Sequence, residues 1–154
     1  MLDERAGRKA DVAELAQCAA LPYVLLQGEV YVCLITSRGT KRWVIPKGWP
    51  KPPSEPYEQA AREAIEEAGL LGVIATQPIG SYAYRKRLHF LATANCRVAV
   101  YPLLVTAQYG HWPEQAEREL NWVPALSAAA MVQEETLGRL FAELPEWIAA
   151  QSLP

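Results

Sequence analysis

Glu63, Glu66 and Glu67 fall within five residues, in the run Arg62-Glu63-Ala64-Ile65-Glu66-Glu67-Ala68-Gly69-Leu70. Carboxylates held this close repel one another unless a cation sits among them. A hard divalent ion takes oxygen ligands and removes the repulsion. Upstream, Arg42, Lys47 and Lys51 put positive charge beside the acidic segment. A dication on the acids, with basic side chains on neighbouring phosphates, is the arrangement of a metal–polyphosphate site. The plainer reading is a solvated acidic helix face. Arg62 is the only basic residue on the segment, so pairing with Glu58 or Glu66 leaves most of the acid unbalanced.

These side chains need a helix to hold them. At 100° per residue, with Glu63 at zero, Glu67 lies at about 40° and Glu66 at about −60°. Tyr57, Ala61, Ala64, Ile65 and Ala68 form the apolar face. The acidic arc is expected to point away from the core, toward a cleft or solvent. Ser54 is the expected N-cap, Pro56 suits the first turn, and Gly69 stops the helix after Ala68. The preceding loop, 47–56, carries four prolines and a glycine, which restrict its path.

Around this helix, residues 21–27 and 30–36 read as strands turning at Gly28-Glu29, and 42–46 as a short strand ending at Pro46. Residues 72–74 and 79–84 are strand material, with 85–89 a basic loop or strand end. Residues 96–108 read as a long strand in which Pro102 marks an edge or a bulge. A polar loop, 109–121, precedes Trp122-Val123-Pro124. Helices over 125–133 and 135–150 close the chain, with Pro145 expected to kink or divide the second. Strands mixed with a few helices predict a mixed sheet covered on both faces.

The chain has 154 residues, enough for one domain with a proper core. Residues 1–10 read as a flexible polar tail and 11–154 as a single domain. The net charge of −2 does not favour nucleic acid, so an anionic ligand must meet a local basic patch. Cys18, Cys33 and Cys96 show neither zinc spacing nor a disulfide framework. The N-terminus lacks the apolar core of a secretory signal, and no run approaches a membrane span. A cytoplasmic, reducing setting is expected, with no membrane partner.

The spacing resembles the Nudix (MutT-like) hydrolase signature, G-x5-E-x7-R-E-U-x-E-E-x-G-U, where U is a bulky aliphatic. Gly48, Arg62, Glu63, Glu66, Glu67, Gly69 and Leu70 fall at signature positions, and Ala64 fills the first U with a smaller side chain. One position departs: Ser54 stands where the signature has its first glutamate, with Glu55 adjacent. The run Arg42-Trp43-Val44-Ile45-Pro46-Lys47-Gly48 looks most like the diphosphoinositol polyphosphate phosphohydrolase branch and its bacterial relatives, which are similar to diadenosine polyphosphate hydrolases in substrate range.

The resemblance implies an α/β (α+β) fold, a Nudix-type α/β/α sandwich with a mixed central sheet. It implies Mg²⁺-dependent hydrolysis, with Mn²⁺ as a substitute, of a pyrophosphate bond in a nucleoside-diphosphate-linked or polyphosphorylated small molecule. Glu63 and Glu67 would be the leading metal ligands, Glu66 a direct or water-mediated one, and the Lys47 carbonyl another. Arg62 would orient the glutamates, and Glu117, with Glu114 and Glu119 behind it, would supply a loop base. Arg42, Lys47, Lys51, Arg85 and Arg87 would bind substrate phosphates, with Lys86 and His89 as further cations, while Trp49, Tyr82 or Tyr84 would stack on a ring or pack. A phosphorylated small molecule is the expected partner, met by a monomer or homodimer. The competing reading is a Nudix-fold sensor that binds without turnover, which Ser54 favours.

Overall fold

Strands buried on both faces read as continuous apolar runs, and the first two strands of this chain do. In the computed structural model, which describes residues 14–151, β1 (Leu15–Leu26) and β2 (Glu29–Thr36) form an antiparallel hairpin. Gln27 and Gly28 turn it with φ of 52° and 80°, the positive pair that a tight two-residue hairpin needs. The turn therefore precedes the expected Gly28-Glu29 by one residue, because Glu29 already pairs with Leu26. β1 also begins earlier than position 21, because it runs parallel to β7 (Ala92–Gln108) from Leu15 opposite Cys96 to Tyr23 opposite Leu104.

β3 (Trp43–Val44) pairs with β2, and β4 (Lys47–Gly48) pairs with β1 at Ala19 and Cys18. β6 (Gly80–His89) lies against the first half of β7, and β5 (Leu70–Ile74) against the second. The basic stretch at 85–89 is thus strand, zipped to residues 92–95 of β7. Pro102 marks neither an edge nor a bulge. It stands where β6 pairing has ended at Val100 and β5 pairing begins at Leu103, and its carbonyl takes the Ala75 N–H at 2.9 Å. β8 (Leu120–Pro124) completes the sheet beside β2. One parallel pair among antiparallel neighbours makes the sheet mixed.

Alternate side chains of the central strands enter different cores. Ala19, Leu21, Tyr23, Val98 and Val100 meet Ala125 and Ala128 of α2 (Ala125–Met131) and Leu137, Phe141 and Leu144 of α3 (Glu135–Gln151). Cys18, Ala20, Tyr101 and Leu103 meet Ala60 and Ala64 of α1 (Pro56–Ala68) on the other face. Helices on both faces give the α/β/α sandwich. α3 runs unbroken through Pro145, so the proline does not divide it. The three cysteines are buried and free. Among the described residues no helix is long and apolar enough to cross a membrane. The tail expected at 1–10 lies outside the described residues.

Candidate functional site

Local chemistry sets both ends of α1. Glu55, not Ser54, is its N-cap: the Glu58 carboxylate accepts the Glu55 N–H at 2.9 Å in a reciprocal capping box. Gly69 ends the helix in the left-handed region, φ 68°, where glycine has no Cβ penalty. Trp112 also lies on Gly69, so close that a Cβ there would meet its indole at 2.4 Å.

The buried stripe of α1 differs from the expected apolar face. Ala60, Ala64 and Ala68 are fully buried, and these small side chains let the helix lie close to the sheet. That draws the adjoining stripe inward, so Gln59, Glu63 and Glu67 are only 1%, 8% and 4% exposed. Glu66 alone of the three acids faces solvent. The acidic arc is therefore split, with two members turned in and one out.

Glu67 Oε2 accepts the Lys47 N–H at 3.0 Å, and Glu67 Oε1 lies 3.0 Å from Arg118 Nη2. Glu63 Oε1 accepts from Gln59 Nε2 at 2.8 Å. Glu63 presses against β4: a Cβ on Gly48 would stand 2.1 Å from Glu63 Oε1. Burial pushes the Glu67 carboxyl up from 4.5 to about 8; Arg118 opposes the rise, and a hydrogen bond shared with Glu63 adds to it. Burial also holds the Lys47 ammonium below its usual value, with Glu67 opposing and Arg42 and Lys86 assisting. Its Nζ sits 5.1 Å from the centre of the Tyr84 ring. The Cys18 thiol, beneath Gly48, is pushed up to about 11 by burial and then by Glu63.

Among the described residues no group of three or more His, Cys, Asp or Glu side chains is placed to hold a metal. Glu63 and Glu67 converge closely enough to share a hydrogen bond, beside the backbone of Lys47-Gly48. This all-oxygen set, two buried carboxylates beside backbone carbonyls, fits a hard dication.

A cleft of about 630 Å³ opens over these two carboxylates. Eight cations line it (Arg38, Arg42, Lys47, Lys51, Arg85, Lys86, Arg87 and Arg118) against three acids, Glu63, Glu67 and Glu114, a balance that suits a polyanion. Arg42 lines the cleft, but its guanidinium is engaged by Glu134 at 2.6 Å. Glu117 is half-exposed, 3.9 Å from Arg38, and does not line the cleft, whereas Glu114 does. Arg62 pairs with neither Glu58 nor Glu66. Its Nη1 donates to Ser54 Oγ at 2.9 Å and to Gln59 Oε1 at 3.3 Å. Trp49 and Tyr84 line the cleft and Tyr82 is in the core, while His89 lies outside the cleft and exposed.

No model of a protein family matches the chain. Among curated proteins it is 30% identical to Nudix hydrolase 12, mitochondrial, of Arabidopsis thaliana, over 73% of this chain and 57% of that protein. It is 29% identical to diphosphoinositol polyphosphate phosphohydrolase 2 of Rattus norvegicus, over 76% of this chain and 62% of that protein. The chain thus spans between half and two thirds of the length of these relatives. Its fold matches that of a C. elegans Ap4A hydrolase in a binary complex, with a TM-score of 0.65 at 17% identity, covering 88% of this chain and 98% of that one. The chain belongs to the Nudix hydrolase superfamily.

In this Nudix protein Ser54 does not leave its signature position idle. It anchors Arg62, which reaches Glu63 through Gln59. Sequence reasoning passed over Gln59, although its place one turn before Glu63 was a usable signal. It also passed over Arg118, whose side chain is 9% exposed and bonds Glu67, Glu114 and the Thr36 carbonyl. A lone arginine between Glu117 and Glu119 was the signal there. Glu134, from a distant turn, carried none.

Proposed function

We propose that this protein hydrolyses a pyrophosphate bond in a nucleoside-diphosphate-linked or polyphosphorylated small molecule, with Mg²⁺ or Mn²⁺ as cofactor. Diadenosine polyphosphates and diphosphoinositol polyphosphates are the candidate substrate types. The observation that carries the reading is the convergence of Glu63 and Glu67 on the Lys47-Gly48 backbone, at the floor of a cleft with eight cationic side chains. Glu63, Glu67 and the Lys47 carbonyl are the proposed ligands, with Glu66 acting through water. Bound there, a dication would supply Lewis-acid polarisation of a phosphoryl oxygen and would lower the pKa of a water.

The chain's own groups do the rest. Gln59 and Arg62 orient the Glu63 carboxylate, a role of the kind outer partners play at metal sites. Arg118 bridges Glu67 and Glu114, its Nη2 lying within 3.0 Å of a carboxylate oxygen of each. Lys47, Lys51, Arg85 and Arg87 bind the remaining phosphates, and Arg42 does so from its pair with Glu134. Among the loop acids, Glu114 is the better placed to take a proton from water, because it lines the cleft and Glu117 does not.

Turnover should be assayed with and without Mg²⁺ on diadenosine polyphosphates, inositol pyrophosphates and nucleotide sugars. Metal-dependent release of a phosphorylated product is the expected result. A second reading, a binding domain without turnover, is favoured by Ser54 and by the missing third carboxylate. Tight ligand binding with no cleavage of any of these compounds would establish it instead.

A further inference from the structure

The loop that carries Glu114 and Arg118 into the cleft, residues 109–119, contains one short 3₁₀ turn, Gln115–Glu117, and no strand or α-helix. Such a segment takes its position from whatever holds it at each end. Its far end is tied to β2. The Thr36 N–H donates to the Glu119 carbonyl at 3.1 Å, and the Glu119 N–H donates to Thr36 Oγ1 at 2.9 Å. Its near half is tied to the end of α1. The Tyr109 N–H donates to the Gly69 carbonyl at 2.8 Å, and the Glu114 N–H donates to the Glu66 carbonyl at 3.0 Å. Carbonyls at a helix C-terminus lack partners within the helix, and the loop takes two of them.

Trp112 stands between those two bonds. A Cβ on Gly69 would lie 2.4 Å from its Cε3 and 2.5 Å from its Cδ2. The indole Nε1 is buried with no hydrogen-bond partner, so packing on the bare glycine holds the ring, not a polar contact. Gly69 therefore lacks a side chain for two separate reasons. One is its φ of 68°, which asparagine tolerates better than most residues. The other is the indole lying on it, which leaves no room for any side chain.

We infer that the contact of Trp112 with Gly69 is the seat that fixes the 109–119 loop, which makes Trp112 a positioning residue acting through Glu114 and Arg118. Glu114 follows Trp112 by two positions, so a ring lifted from Gly69 moves Glu114 with it. Arg118 Nη2 reaches both Glu67 and Glu114, so the same movement loosens a proposed metal ligand. The inference rests on the proposed reading of Glu67 and Glu114 in hydrolysis. It adds that the signature glycine after α1 serves the loop as well as the helix.

The test is a double-mutant cycle on the full chain, read in two ways. Amide exchange, followed by NMR in metal-free protein, reports the seat without turnover. Mg²⁺-dependent kcat and KM on a diadenosine polyphosphate report its consequence. Trp112→Ala empties the seat. Gly69→Asn obstructs it while keeping a residue that accepts the cap conformation, so either variant serves if the other fails to fold. Each should speed exchange of the Tyr109 and Glu114 N–H groups about 10-fold, the upper range for losing one amide hydrogen bond. Each should cut kcat about 100-fold, the cost of a misplacement of about 1 Å. KM should stay within about threefold, because Lys47, Lys51, Arg85 and Arg87 lie outside the loop. Adding Gly69→Asn to Trp112→Ala should cost nothing more, because the indole it would strike is gone. Trp112→Phe keeps a ring on Gly69 and drops the unpaired N–H, so kcat should remain within about threefold of the parent.

The inference is overturned by losses that multiply to about 10,000-fold in the double variant, by unchanged exchange in both single variants, or by an unseated loop with unchanged kcat. A parent protein that cleaves none of the proposed substrates would sink the proposed activity instead, and the exchange measurement would still decide whether Trp112 seats the loop.

Discussion

Replacing Gly48 with alanine should separate the fold from the chemistry. The new Cβ would lie 2.1 Å from Glu63 Oε1 and 2.4 Å from its Cδ. The β4 backbone is paired to Cys18 of β1 and cannot yield easily, so the flexible end of Glu63 must withdraw. Reaching an ordinary separation of about 3.5 Å requires a shift of about 1 Å or more. The carboxylate then loses its 2.8 Å bond from Gln59, worth about 1.5–3 kcal/mol for a charged acceptor. Gly48 is not among the positive-φ glycines, so alanine also restricts the unfolded chain and offsets about 0.4–1 kcal/mol of that loss. The net cost is about 1–2 kcal/mol, or a fall in Tm of about 2–8 °C for a chain of this size. Activity should suffer far more, because a misplacement of about 1 Å at a reacting centre costs about 100-fold. Thermal melting and Mg²⁺-dependent kcat, measured side by side, check both numbers. A folded Gly48→Ala protein with kcat within about twofold of the parent would refute the placement of Glu63 in the chemistry.

Three further outcomes are expected. Arg118→Ala takes the shared guanidinium from Glu67 and Glu114, so the metal-free protein should lose about 3 kcal/mol above about pH 8, where Glu67 is ionised, and less at neutral pH, where Glu67 keeps its proton; Mg²⁺ should restore part of the lost Tm. In metal-free protein, folded Glu67 holds its proton to about pH 8 while the unfolded chain releases it near 4.5. The folded state therefore binds more protons in that window, and stability should fall as pH rises from about 4.5 to 8; Glu67→Gln should flatten that part of a Tm-against-pH curve. Burial pushes the thiols of Cys18 and Cys33 up to about 11 and about 12, so neither should react with a disulfide reagent at pH 8 until the protein is denatured. Rapid labelling of either in the native state would contradict their burial.

The local parts of the fold were legible because they depend on near neighbours along the chain. Pro56 and Gly69 bracket α1 through backbone preferences that no distant contact overrides. Residues 30–36 read as strand because both faces of β2 are covered. What went astray depended on partners far away in sequence. Pro102 suggested an edge or a bulge, yet it occupies the gap between two partners of an interior strand. The basic residues 85–89 read as a loop or a strand end, and only pairing with 92–95 makes them the end of a strand. The helical wheel placed Glu63, Glu66 and Glu67 on one arc but had no means of knowing how near the sheet would lie.

The sequence by itself determined the family, the helix and the identity of its acids, since spacing along one helix is a covalent fact. It also established a surplus of cations upstream of those acids. Only the tertiary structure decided that Glu63 and Glu67 turn inward while Glu66 turns out, because the alanine stripe lets α1 settle close enough to bury its neighbours. Only the structure brought Arg118 to Glu67 and Glu134 to Arg42, pairs separated by long stretches of chain. Charge attraction across such distances is set by where the sheet and loops put each group, and a linear string of residues carries no record of that.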